Sequence, residues 1–251
     1  MESTFGGKTV VVSGAAGGVG RAVVAQLVAQ GARVCATDIA STVTQFDEIK
    51  PDQIVSVMAD VTKSDDVEKI FGVAEAKFGS VDILISNAGF IISKSVHDTT
   101  EEEWDRVMNA NAKSLFLMSK RALPSMIAKG AGSIVATGSI SSVLGLPEQA
   151  AYCAAKGALL QLVRQMAIDY APKGIRVNAV GAGSIDTPFL RRYLDGLEDP
   201  IAGEAAIKAA HPLGRWAEPS EIADAILYLA GKKASFVTGQ ILMADGGYSA
   251  R

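Results

Sequence analysis

Seven short apolar runs, most of them separated by stretches long enough for a helix, limit the folding options of this chain more than any other feature. The runs cover Thr9 to Val12, Ala32 to Thr37, Ile54 to Met58, Val81 to Ile85, Ser133 to Ala136, Ile175 to Val180 and Gln240 to Met243. They are rich in Val and Ile and end near Gly, Ser or Asp, the pattern of strands covered on both faces. Helical stretches are expected at about Val19 to Gln30, Asp65 to Phe78, Glu101 to Lys129, Ala150 to Tyr170 and Ser220 to Leu229. Gly31 follows the first, Thr100 precedes Glu101-Glu102-Glu103, and Pro219-Ser220-Glu221 opens the last, all helix boundary signals. Such alternation predicts an α/β fold: a doubly wound parallel sheet of Rossmann type, with right-handed crossovers and helices on both faces. No repeat or linker divides residues 1–251, so a single domain is expected. The segment from Thr187 to His211 is too long for a plain connection and mixes Phe189, Leu190, Arg191, Arg192 and Tyr193 with Gly196 and Pro200. It reads as a small substrate lobe or lid inserted in that domain.

The hydrophobic content of 49% is enough to bury a sizeable core and rules out disorder for most of the chain. With 24 basic against 27 acidic residues and no basic stripe, the chain lacks the electrostatic footprint of a nucleic-acid binder. No apolar run reaches the roughly 18 residues of a membrane span. The N-terminal segment has no signal-peptide pattern, and a cytoplasmic location is the expectation. The two cysteines, Cys35 in a strand-like run and Cys153 in a helix-like one, have no metal-ligand spacing and read as buried or half-buried free thiols. His97 and His211 stand alone, and no G-x-S-x-G elbow is present, so neither a metal site nor a serine hydrolase is expected.

The chemistry concentrates at the ends of the predicted strands. Ser13-Gly14-Ala15-Ala16-Gly17-Gly18-Val19-Gly20 follows the first strand and opens the first helix, where glycines let the backbone approach a pyrophosphate and the helix N-terminus meets its charge. Its spacing, with Gly14, Gly18 and Gly20, is G-x-x-x-G-x-G rather than the general dinucleotide fingerprint. A plain tight turn would use the same glycines. Asp38 closes the second run where a carboxylate can accept from a ribose diol, and Asp60 closes the third at the same sheet edge, though either acid could serve only as a helix cap. In Tyr152-Cys153-Ala154-Ala155-Lys156 a phenol and an ammonium four residues apart share a helix face. A neighbouring ammonium favours the phenolate and makes a tyrosine a usable acid/base. Ser139, thirteen residues before Tyr152, ends the fifth run at the same edge and can hold a substrate oxygen.

Together these residues resemble the short-chain dehydrogenase/reductase family from about Lys8 to Gly247. Ser13 to Gly20 matches the family's T-G-x-x-x-G-x-G, Ser86-Asn87-Ala88-Gly89 its N-N-A-G, and Ala182-Gly183-Ser184-Ile185-Asp186-Thr187 its P-G-x-I-x-T loop. Asp245-Gly246-Gly247 is similar to its D-G-G. The resemblance implies a catalytic set of Asn111, Ser139, Tyr152 and Lys156. It implies dinucleotide contacts from Gly14, Gly18, Val19, Gly20, Asp38, Asp60, Val61, Asn87, Ala88, Gly89, Tyr152, Lys156, Gly183, Ile185 and Thr187, and no metal. It further implies hydride transfer between a nicotinamide and an alcohol or carbonyl carbon, and a homotetramer packed through the helices at 101–129 and 150–170. Leu115, Leu117, Leu159, Leu162 and Met166 are the apolar positions those helices offer, whether to the core or to a mate. Ser86 for Asn shortens a polar side chain that ties strands together in the family, and Ala182 for Pro removes a fixed φ beside the nicotinamide, with a looser loop expected.

Asp38 argues for NAD over NADP, since no cation stands at Gly17 or Ile39 to receive a 2′-phosphate. The same absence argues against an NADPH-dependent 3-oxoacyl-carrier-protein-type reductase. A non-catalytic nucleotide-binding regulator would be expected to lack Tyr152 or Lys156. Pocket walls are expected from Phe90 to Lys94, Ile140 to Gln149 and Ser184 to Tyr193, a blend of apolar and polar residues that suits a small secondary alcohol, polyol or sugar better than a steroid.

Overall fold

The computed structural model describes residues 4–196 and 198–250, with the side chains of Asp47, Glu48, Phe189, Arg192 and Tyr193 and the lobe residue Leu197 outside the described set. Seven strands form one parallel sheet: β1 (Thr9–Ser13), β2 (Arg33–Asp38), β3 (Ile54–Met58), β4 (Ile83–Ser86), β5 (Gly132–Ser139), β6 (Ile175–Ala182) and β7 (Ile241–Ala244). Their order is β3-β2-β1-β4-β5-β6-β7, so the chain reverses its winding direction between β1 and β4. At such a switch point the connections leave in opposite directions and open a crevice at the carboxyl ends of the strands. The registers Ser13↔Thr37, Ser86↔Ala136 and Ser139↔Ala182 bring the motif-bearing ends to one edge.

The helices are α1 (Gly18–Ala29), α2 (Ser64–Phe78), α3 (Glu101–Met108), α4 (Ser114–Lys129), α5 (Ala150–Tyr170), α6 (Pro188–Asp195), α7 (Pro200–Ala209) and α8 (Pro219–Ala230). Two cores sandwich the sheet. One packs α1 and α8 through Val23, Leu27, Ile222 and Ile226; the other packs α2, α4 and α5 through Phe71, Met118, Leu159 and Val163. Boundary chemistry matches the sequence. Thr100 and Glu103 form a reciprocal capping box, worth roughly 1 kcal/mol against alanine, and α4 ends on Gly130 at φ 64°.

Three features depart from the sequence reading. The stretch after Asp38 forms a 3-10 segment, Ser41–Glu48, not foreseen from its polarity. The expected lobe resolves into two helices, α6 and α7, the second opened by Pro200 with Asp199 capping Ala202 N. The single helix expected from Glu101 to Lys129 is interrupted by a π turn, Asn109–Lys113. Turns of this kind recur at functional sites.

Ala182 ends β6 in register with Ser139 and Ala244, and the next amide, Gly183 N, donates to Ala244 O at 3.2 Å. The backbone after the Pro-to-Ala position is thus bonded to the neighbouring strand.

Candidate active site

The β1–α1 turn is held open from below. Gly14 has φ 64°, and a Cβ there would stand 2.9 Å from Ala88 N and Cα; a Cβ on Gly20 would stand 2.0 Å from Gly14 O. Gly17, the N-cap of α1, gives no side-chain cap, and the first turn carries no acid. The leading amides of α1 are left for an external anion, as a pyrophosphate requires. This bare helix start is the observation by which the chain fits a dinucleotide. Val19 and Gly20 are buried behind it.

Asp38 ends β2 beside this turn. Its Oδ2 accepts from Ala16 N at 3.0 Å and its Oδ1 from Ala40 N at 2.9 Å, which fixes the carboxylate and leaves lone pairs for a diol. Arg21 Nε donates to Ala16 O at 2.9 Å and its guanidinium lies over Phe46. A cation is thus bonded to the carbonyl of the same residue whose amide holds Asp38. Asp60 Oδ1 accepts from both Thr62 N and Thr62 Oγ1, and Lys63 lies 3.7 Å from Oδ2. These contacts hold its carboxyl below the usual carboxylate range although burial acts the other way. The carboxylate organises the turn into α2, and the adjacent Val61 is buried.

Asn87 supplies the tie that Ser86 is too short to make. Its Nδ2 donates to Ser13 O and Gly14 O, its Oδ1 accepts from Thr137 Oγ1, and the Asn87 and Ala88 amides converge on Ser13 Oγ. The ends of three strands, β1, β4 and β5, are joined, and the Ser13 hydroxyl does the work expected of threonine. On the far side, a Cβ on Gly18 would stand 2.8 Å from Thr187 Cγ2, so the start of the lobe lies against the glycine turn. Ile185 bridges to Ala217.

The four candidate catalytic residues meet at the end of β5. Asn111 sits on the π turn, 1% exposed, with Nδ2 donating to Phe90 O at 2.7 Å and Val107 O at 2.8 Å. Its Oδ1 is buried without a partner, and a Cβ on Gly89 would stand 2.8 Å from that atom and 3.5 Å from Lys156 Nζ. The glycine keeps open a small polar gap between Asn111 and Lys156. Lys156 Nζ donates to Thr137 O at 2.7 Å and lies 5.5 Å from the Tyr152 ring centre. The Ser139 hydroxyl is near enough to the Tyr152 phenol to favour its ionised form.

The electrostatics differ from the sequence expectation. Burial pushes Tyr152 up to about 12, only partly offset by the Ser139 bond, and burial lowers Lys156 to about 8. In the free protein the ammonium therefore does not produce a standing phenolate. Desolvation outweighs it for both groups.

His211 is a structural residue that sequence reasoning left without a role. It is 3% exposed, Nδ1 donates to Ile207 O at 2.8 Å, and Nε2 accepts from Ser184 N at 3.1 Å. It fastens the end of α7 to the Gly183–Thr187 loop, with the Tyr248 ring tilted at 58° and centred 5.2 Å away. Among the described residues no group of three His, Cys, Asp or Glu could hold a metal ion. Likewise no described helix is long and apolar enough to cross a membrane. Cys35 is buried and Cys153 half-buried, and neither forms a disulfide.

Residues 14–249 match a family model described as enoyl-(acyl carrier protein) reductase. The chain is 36% identical to 2-(S)-hydroxypropyl-CoM dehydrogenase 3 of Xanthobacter autotrophicus, over 100% of both chains. It is 39% identical to cis-4-hydroxycyclohexanecarboxylate dehydrogenase of Sinomonas cyclohexanicum, again over 100% of both. The chain belongs to the short-chain dehydrogenase/reductase family. Among solved short-chain dehydrogenase/reductase structures, that of levodione reductase superposes with a TM-score of 0.93 at 30% identity, covering 98% of this chain and 99% of the other. Family membership carries with it nicotinamide-dependent oxidoreductase chemistry, for which the crevice supplies the setting.

Proposed function

We propose that this short-chain dehydrogenase/reductase interconverts a small secondary alcohol, polyol or sugar hydroxyl and the corresponding carbonyl, with NAD as the hydride carrier and Tyr152 as the acid/base. The convergence of Ser139, Tyr152, Lys156 and Asn111 at the end of β5 carries the reading. The relatives named above act, by their names, on a hydroxypropyl and a hydroxycyclohexane group, both secondary alcohols, which favours that class within the proposal.

When bound, the nicotinamide accepts or delivers the hydride, and its cationic oxidised ring favours the phenolate. The chain's own residues do the rest. The α1 N-terminus and Gly14–Gly20 turn hold the pyrophosphate, Asp38 the adenosine ribose, and Asn87, Ala88, Gly89, Gly183, Ile185 and Thr187 enclose the nicotinamide half. Asp60 and Val61 border the adenine side. Lys156 binds the nicotinamide ribose and stabilises negative charge on Tyr152. In oxidation Tyr152 takes the hydroxyl proton while Ser139 orients the reacting oxygen. The unpartnered Asn111 Oδ1 accepts from a water that links Lys156 to solvent, in keeping with the gap beside Gly89. Apolar Phe90, Leu144 and Leu146 with polar Ser141 and Gln149 line the substrate side.

A carrier-protein reductase is the second reading, since the description of the matching family model names an acyl carrier protein. Asp38 and the absence of a base at Gly17 or Ile39 argue against its NADPH requirement. Screening NAD-linked oxidation of polyols, aldoses, hydroxy acids and cyclic alcohols tests the proposal. Tyr152→Phe should abolish turnover and leave NADH binding nearly intact, whereas substantial activity in that variant would refute the acid/base assignment.

A further inference from the structure

Between β5 and α5 lies a set of polar contacts that hydride transfer leaves unexplained. Ser141 is 3% exposed. Its N–H donates to Ser139 Oγ at 3.2 Å and its hydroxyl to Gln149 Oε1 at 2.8 Å, while Ser139 Oγ donates to Ser141 Oγ at 3.3 Å. Gln149 occupies the N-cap position of α5 yet makes no side-chain cap bond to that helix. The residue before it, Glu148, has φ 55°, the one positive value at a non-glycine among the described residues. A backbone in that region persists only where its surroundings over-determine it, and such residues cluster at functional sites. Here Ala150 N donates to Lys94 O at 3.3 Å, pinning the loop to the opposite wall of the cleft.

We propose that Ser141 and Gln149 are positioning residues of the reaction, the Gln149 carbonyl fixing the direction of a hydroxyl relay and so deciding where Ser139 aims its single proton. This rests on the reading of Ser139 and Tyr152 given above. A serine hydroxyl has one proton and two lone pairs, and an amide oxygen only accepts. The Ser141 proton is therefore committed to Gln149, and Ser141 turns lone pairs toward Ser139. With the phenol neutral, the Ser139 proton rests on Ser141, and Ser139 Oγ accepts from Ser141 N–H. When Tyr152 is a phenolate or a substrate oxygen arrives, that proton turns to the new acceptor. Every hydroxyl in the relay keeps its proton, because Gln149 takes none; the relay orients and does not conduct. The other titratable groups facing Tyr152 are Cys153 and Lys156, both on its own helix.

Tyrosine labelled with 13C at Cζ reports ionisation by NMR, and Tyr152→Phe assigns the signal. Ser141→Ala and Gln149→Met each weaken the competing acceptor for the Ser139 proton, which then serves the phenolate. At pH 11, with the fold monitored by circular dichroism, both variants should hold about threefold more Tyr152 phenolate than the wild type, roughly the half pH unit that one neutral hydrogen bond is worth. Gln149→Glu keeps the acceptor and adds negative charge, so it should shift Tyr152 the opposite way and recover part of the lost turnover at high pH. In secondary-alcohol oxidation near neutral pH, Ser141→Ala and Gln149→Met should lower kcat several-fold and move the acid limb of kcat/KM downward, with KM for NAD unchanged. A merely structural role would change stability or KM without displacing the Tyr152 signal. Identical Tyr152 signals and pH limbs in the wild type and all three variants would overturn the relay. Turnover by Tyr152→Phe with the relay shifts intact would overturn instead the acid/base reading on which it rests.

Discussion

Replacing Asp38 should change which dinucleotide the protein accepts, and the structure sets the scale. The carboxylate is held by Ala16 N and Ala40 N at 3.0 and 2.9 Å, so it cannot swing away from a 2′-phosphate without breaking both bonds. Exchanging NAD for NADP removes a charge-assisted hydrogen bond to the 2′-hydroxyl, costing roughly 1.5–3 kcal/mol. It also places an anion of about −2 near the carboxylate. At about 5 Å this repulsion ranges from about 1–2 kcal/mol under full aqueous screening to several times that at an effective dielectric near 20. Asp38 is half-buried at an open edge, so the screened figure applies. Arg21, 2.9 Å from Ala16 O through Nε, offsets part of it. The balance is about 2–4 kcal/mol, or about 30- to 1000-fold in favour of NAD. Fluorescence titration with NADH and NADPH measures the ratio of Kd without any knowledge of the substrate. Asp38→Ala should bring the ratio within about tenfold. Adding Ile39→Arg, at a position 71% exposed, should invert it. Arg21→Ala on the Asp38→Ala background should weaken NADPH binding specifically. Wild-type affinities for NADH and NADPH within threefold of each other would refute the reasoning.

Lys156→Met should abolish turnover yet raise stability. A lysine lowered to about 8 from 10.5 by burial subtracts stability below pH 8, and the penalty fades as pH rises toward 10.5. After the lost bond to Thr137 O, a gain of about 1–2 kcal/mol at pH 7 is expected, read as a higher Tm that drops below that of the wild type above pH 10, where only the lost bond remains. His211→Ala should cost about 2 kcal/mol and speed hydrogen exchange at the Ser184 amide by at least tenfold, with unchanged exchange there refuting the fastening role. If the lobe at 187–211 is a lid, cofactor with substrate should slow its exchange; equally slow exchange in free and ternary states would count against it. The implied homotetramer should appear by light scattering at micromolar concentration. Leu115, Leu159 and Met166 are buried in the subunit, leaving Trp104, Phe116, Ile127 and Ile168 as the exposed large apolar residues of 101–129 and 150–170, and a monomer would end that proposal.

The strands were legible because both faces of this sheet are covered, so that each strand is a run of apolar residues needing no partner to be recognised. The long helix of Tyr152 and Lys156 was legible to its ends, Ala150 and Tyr170, for the complementary reason: it is bounded by a loop and by Pro172. What escaped was set by space rather than by pattern. Asn109-Ala110-Asn111-Ala112-Lys113 contains no residue that forbids a regular helix, and its π geometry follows from packing against Phe90 and α5. The place of Arg21 is likewise a three-dimensional fact: its sequence position on α1 does not reveal a guanidinium folded back to Ala16. His211 in a polar stretch gave no sign of burial, although its distance from any other histidine already argued against a metal. The Ser141–Gln149 contact joins two residues eight apart across a loop of irregular backbone, beyond the reach of periodicity.

The widened turn at Asn109–Lys113 makes chain length itself a determinant in this region. The Ser114 amide reaches Asn109 O, five residues back, where a regular helix would reach four. One additional residue corresponds to about 100° of rotation at 3.6 residues per turn. The stripe Leu115, Met118, Ala122 and Met126 is therefore clocked onto the sheet by an insertion. No point substitution could reproduce that phase. Deleting a single alanine, Ala110 or Ala112, would let the helix close up and would turn either Asn111 out of the cleft or the stripe out of the core. Such a deletion removes one peptide unit and a single methyl side chain, yet it should be worse tolerated than replacing any one side chain on the stripe.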